Sequence, residues 1–125
     1  MTELIFVMIG GAIGAGLRHL TNIGATKLAG PSFPYGTLTV NIAGCFLMGV
    51  LIAGLAGRSG DTQAVRLFLA TGVLGGFTTF SAFSMDFAAL WERGTTSLAF
   101  FYVAASVVGA LAAVFAGMWL VRSIG

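Results

Sequence analysis

Four apolar stretches, each about as long as a bilayer is thick, leave this chain few architectures. They run roughly over residues 4–25, 35–57, 65–91 and 97–121. Three short polar turns separate them: Lys27, Gly30, Pro31 and Pro34; then Gly57, Arg58, Ser59, Gly60 and Asp61; then Glu92, Arg93 and Gly94. A hydrocarbon core about 30 Å thick takes roughly 20 apolar residues of helix. The 125 residues are therefore used up by four crossings and their connections. The expected fold is an all-α integral membrane protein with four transmembrane helices in one domain, residues 1–125, and the lipid bilayer as its solvent. With 58% of residues hydrophobic and 8% charged, water is excluded as the main solvent. The first stretch is read as a retained helix and not a cleaved signal, because it opens with Glu3, lacks a basic start and continues through Arg18.

The same composition excludes most chemistry. A single cysteine, Cys45, rules out an intrachain disulfide, and one histidine with one cysteine supplies no ligand set for a transition metal. No Ser, His and Asp arrangement for nucleophilic catalysis is present. The six basic residues are scattered at segment ends, so no nucleic-acid patch exists. An enzyme is not expected.

Charge also bears on orientation. With four crossings, both termini and the second turn share one side, which holds Arg58, Arg66 and Arg122, while the other side holds Arg18, Lys27 and Arg93. Three basic residues against three give the positive-inside rule nothing to choose between. Insertion in both orientations is predicted, and it permits an antiparallel, dual-topology homodimer. Small residues four apart, Gly10 and Gly14, Ala12 and Gly16, Gly49, Ala53 and Gly57, and Gly109, Ala113 and Gly117, provide faces for close helix packing.

The third stretch carries the strongest local signal. Its middle reads GGFTTFSAFS from Gly75 to Ser84, and paired glycines followed by β-branched residues weaken a helix. A break near residues 75–79 is predicted. In lipid a broken helix persists only where protein or a water-lined cavity satisfies the freed backbone groups. Carbonyls near Gly75 and Thr78 suit a cation, and the amide end of the following half-helix suits an anion. Phe80 and Phe83 are three apart, with Ser81 and Ser84 beside them; ring edges carry partial positive charge and stabilise an anion without trapping it. Asn41 lies one turn from Thr37 on the second segment, and Tyr102 and Ser106 lie four apart on the fourth, which makes a ladder of neutral donors. Arg18 and Asp86 are the two charges placed within helices: the first suits gathering anions at a pore mouth, the second orienting donors such as the serines or holding a proton.

Residue chemistry by itself thus points to a small dual-topology channel or carrier for an anion. A drug carrier of this size needs a membrane-embedded acid in its first helix, and only Glu3, at its start, is acidic there. The glycine-rich start ending in Arg18, the run GTLTVNIAG from Gly36 to Gly44, the run GGFTTFSAFS and the acid Asp86 after it together resemble the small dual-topology fluoride channel family, the fluoride exporters. That resemblance implies passive fluoride export across a prokaryotic inner membrane, two pores per antiparallel dimer, and a structural sodium ion at the dimer centre. It assigns the sodium to carbonyls of Gly75 and Thr78, the pore lining to Phe80 and Phe83, and donation to Asn41, Ser81, Thr37, Tyr102 and Ser106, with Arg18 near the vestibule. The family commonly carries a hydroxyl one turn beyond Ser106, where this chain has Ala110, which implies a shorter polar track.

Overall fold

The computed structural model describes residues 1–58 and 60–125; Ser59, expected in the second turn, lies outside them. Helix α1 is Thr2–Ala29 and α2 is Tyr35–Ala56. Next comes α3, residues 63–77, made of Gln63–Arg66, a π-helical stretch Leu67–Leu74, and Gly75–Phe77. Then follow α4, Ser81–Glu92, and α5, Thr96–Ile124. Among the described residues, four spans are long and apolar enough to cross a membrane: Thr2–Ala29, Tyr35–Ala56, Gln63–Glu92 and Thr96–Ile124. The chain is an all-helical, multi-pass membrane protein.

The first helix overruns its expected end by a full turn. Nothing between Ala25 and Gly30 breaks a helix: Thr26, Leu28 and Ala29 continue it, Lys27 complements the negative end of its dipole, and the Gly30 N–H closes it on the Thr26 carbonyl. Pro31 and Pro34 then prevent continuation. In the third span helical geometry is lost inside the predicted 75–79 range, at Thr78 and Thr79. Gly75 and Gly76 remain helical, and helical geometry lapses only at Thr78, with φ −82° and ψ 156°, resuming at Ser81. Gly76 serves packing instead of a bend: a Cβ there would stand 2.5 Å from the Gly11 carbonyl oxygen, so only a residue without a side chain lets α1 and α3 approach this closely.

Helix α1 packs along the π-helical part of α3, α2 packs along α5, and α4 closes on α5. The small-residue ridges divide between these seams. Gly10 and Gly14 are buried against α3, whereas Gly16 meets nothing nearby. At Gly49 a Cβ would collide with the Val114 backbone, which no rotamer change relieves. Gly49→Leu is therefore expected to force α2 and α5 apart, at a cost well above the about 1–3 kcal/mol of ordinary overpacking. Loss of the monodisperse peak in detergent size-exclusion chromatography is the check.

A buried cluster of Phe33, Leu90, Ala99 and Tyr102, flanked by Leu38, Phe83, Phe87 and Leu98, lies where α2, α4, α5 and the first loop meet. Elsewhere large apolar side chains face outward, among them Leu4, Met8 and Ile13 of α1 and Phe100, Phe115 and Trp119 of α5. That distribution is the one a bilayer requires of a thin bundle.

Candidate functional site

The non-helical residues 78–80 frame the site, and Asn41 of α2 holds them. Its Nδ2 donates to the Thr79 carbonyl at 3.1 Å, and its Oδ1 accepts from the Thr79 N–H at 2.8 Å. One amide side chain thus replaces both helical partners that this residue has lost. Thr79 in turn starts α4, because its Oγ1 accepts from the Ala82 N–H at 3.1 Å as an N-cap hydroxyl does. At the end of α3, Thr78 donates from both its N–H and its Oγ1 to the Leu74 carbonyl, each at 2.9 Å. Arg18 of α1 donates from Nε to the Gly76 carbonyl at 3.1 Å. The carbonyls of Gly75 and Thr78, at this junction, receive no hydrogen bond from the described residues.

Beside the junction lies a cavity of about 350 Å³, lined by Asn41, Thr78, Thr79, Phe80, Phe83 and Ser106, with Ala110 farther along α5. The Phe80 and Phe83 rings stand 5.5 Å apart at 43°, and Phe83 lies 5.2 Å from the Tyr102 ring. Ser106 is 6% exposed, and its Oγ is buried without a hydrogen-bond partner among the described residues. A buried hydroxyl left free costs stability unless something fills its valence. Phe80, by contrast, is 77% exposed, so the wall that it forms is open on the side away from the bundle.

Tyr102 connects this cavity to a second one. Its fully buried ring backs Phe83, and its hydroxyl donates to Asp86 Oδ2 at 3.1 Å. Asp86 and Thr37 line a cavity of about 430 Å³ beneath the loop joining α1 and α2, together with Asn22, Thr26 and Arg93. Thr37 is itself buried. From one cavity to the other the order of polar groups is Thr37 and Asp86, then the Tyr102 phenol, then Ser106 and Asn41.

Both charges expected within helices have partners. Asp86, facing the seam with α5, accepts from the Tyr102 hydroxyl, while Ser81 and Ser84 are exposed on another side of α4. Arg18 caps the Gly76 carbonyl where α3 ends, as a cation does at the negative end of a helix. Of the serines, Ser81 Oγ lies 3.3 Å from Thr79 Oγ1. Sequence reasoning passed over Thr79. The available signal was a threonine just ahead of a helix-forming run, one of the residue types preferred at an N-cap.

Residues 5–118 match the family described as CrcB-like protein, Camphor Resistance (CrcB). The chain belongs to this family. Curated CrcB-family relatives agree over almost the whole length. The chain is 60% identical to a protein of Mesorhizobium japonicum, with 99% of each covered, and 56% identical to one of Chelativorans sp., again with 99% of each covered. It is 54% identical to a protein of Sphingopyxis alaskensis, covering 99% of this chain and 98% of that one. Each of the three is named fluoride-specific ion channel FluC. The named relatives in the CrcB family are ion channels, not enzymes, and the resemblance drawn from the GTLTVNIAG and GGFTTFSAFS runs extends across the chain.

Proposed function

We propose that this protein is a fluoride-selective channel that passively exports fluoride across a prokaryotic inner membrane and so relieves fluoride toxicity. In this reading it works as an antiparallel homodimer of oppositely inserted copies, with two pores and a structural sodium ion at the dimer centre. The observation that carries the reading is the uncharged cavity between the α3–α4 junction and α5. It offers a free hydroxyl on Ser106, the Asn41 amide and the edges of Phe80 and Phe83, and no full positive charge. Fluoride is small and strongly hydrated, so its passage demands several short hydrogen bonds in place of water, and neutral donors supply them without a trap. The names of relatives at 60% and 56% identity support fluoride over other anions.

The exposure of Phe80 and Gly75 supports a second copy. The donor-free carbonyl of the exposed Gly75 is poorly placed against lipid, which offers it no hydrogen-bond donor. Two copies meeting at their α3–α4 junctions enclose both it and the Phe80 ring. The donor-free carbonyls of Gly75 and Thr78 fit a hard cation, which takes oxygen ligands. These residues would hold the sodium ion, whose charge, when bound, would offset the negative ends of these carbonyls and join the copies. Ser81, Ser84, Thr37 and Tyr102 complete the donor series along the pore, and Arg18 serves the pore entrance through the helix end that it caps.

The test is efflux from liposomes containing the purified protein, read with fluoride- and chloride-selective electrodes. Fluoride release without chloride release is expected. Fluoride movement that is strictly coupled to protons points to a carrier instead, and no movement of either ion removes the reading.

A further inference from the structure

The loop joining α1 and α2 is tied at one residue and wedged in at the next. Arg93, just beyond α4, donates from Nη2 to the Ser32 carbonyl at 2.8 Å. Phe33 follows, buried, with its ring perpendicular to that of Tyr102 at 5.5 Å and 88°. Pro31 and Pro34 restrict φ on either side, so one hydrogen bond at Ser32 goes far toward setting where Phe33 lies. Tyr102 is then held between Phe33 and Phe83, at 5.5 Å and 5.2 Å. Those two contacts fix the plane of its ring and hence the direction of its hydroxyl, which reaches Asp86.

We propose that Arg93 and Phe33 are positioning residues for conduction: the Arg93 tether seats Phe33, Phe33 sets the Tyr102 ring, and the phenol stays on Asp86. The inference rests on the channel reading above. Its functional consequence follows from charge. An acidic oxygen that has lost its donor is a repulsive group beside an anion pathway, and a Tyr102 free to turn leaves Asp86 Oδ2 in that condition. Arg93 also lines the cavity that holds Thr37 and Asp86, so the double variants below separate its action through the ring from a direct effect of its charge on the ion.

Initial fluoride efflux from liposomes is measured for the wild type, Arg93→Ala, Arg93→Met and Arg93→Lys, and for Arg93→Met combined with Tyr102→Phe. Loss of one exposed, charge-assisted hydrogen bond predicts about a threefold reduction in Arg93→Ala and Arg93→Met. Most of the rate is expected back in Arg93→Lys, which still has a donor for the Ser32 carbonyl. In the Tyr102→Phe background Arg93→Met is expected to cost nothing more, because the phenol through which it acts is gone. The same lack of additivity is required between Arg93→Met and Phe33→Leu, which keeps the test readable if Tyr102→Phe conducts too little. Wild-type rates in Arg93→Ala and Arg93→Met overturn the proposal, as does an undiminished Arg93→Met effect in both double variants, the signature of a purely structural contact. A wild type that passes no fluoride overturns the channel reading and this inference with it.

Discussion

Replacing either Phe80 or Phe83 by isoleucine is expected to cut fluoride efflux by about two- to tenfold while the folded protein persists. The magnitude follows from the size of the interaction removed. A favourable contact with an aromatic quadrupole is worth about 0.5–1.5 kcal/mol, and about 1.4 kcal/mol at the barrier is a factor of ten in rate. Isoleucine retains apolar bulk but has no polarised ring edge. Stability is expected to change little at Phe80, which is 77% exposed in the single chain. More change is expected at Phe83, whose ring lies 5.2 Å from that of Tyr102. Efflux and size-exclusion profiles of the two variants are the measurements. Unchanged flux in both would take the rings out of the mechanism and leave the cavity's hydroxyls and amide as its only ion-facing groups.

Asn41→Ala is expected to be the most damaging single change to the third span. It strands the N–H and the C=O of Thr79 together, and each buried backbone group without a partner costs about 1–3 kcal/mol. A combined loss of roughly 2–6 kcal/mol is a large share of a typical folding stability of about 5–15 kcal/mol. Hydrocarbon offers no water to make up the deficit. A clear fall in the temperature at which the detergent-solubilised protein loses its monodisperse peak is expected, with near loss of fluoride efflux. Asn41→Asp separates the two bonds: it keeps an oxygen to accept from the Thr79 N–H and loses the donor to the Thr79 carbonyl. An intermediate melting temperature is expected for it, below the wild type and above Asn41→Ala. If both variants melt with the wild type, the amide does not hold the junction.

These two predictions concern residues that were visible in the sequence for different reasons. Phe80 and Phe83 were found as a pair next to serines, and their chemistry was read from residue type alone. Asn41 was found as an amide in an apolar helix, which in lipid must have a partner, but nothing in the sequence named Thr79 as that partner, 38 residues away. Arg18 and Asp86 show the same division. That each needs a counterpart inside the membrane follows from charge. That the counterparts are the Gly76 carbonyl and the Tyr102 phenol depends on which faces of α1, α3, α4 and α5 are pressed together.

Hydropathy and turn chemistry by themselves determined the number of spans, their approximate limits and the all-helical class. Bilayer thickness and backbone satisfaction act on local composition, so they can be read from residues near one another in the chain. The lapse of helical geometry at residues 78–80 and not at the glycine pair was decided only by the tertiary structure. The weak helix propensity of Gly76 is overridden by close packing against α1, and the lapse falls where Asn41 and the Thr79 hydroxyl replace the missing backbone bonds. The seating of Phe33 against Tyr102 was likewise invisible, because a loop residue between two prolines carries no periodic signal, and its position depends on a hydrogen bond from Arg93, 61 residues away from Ser32.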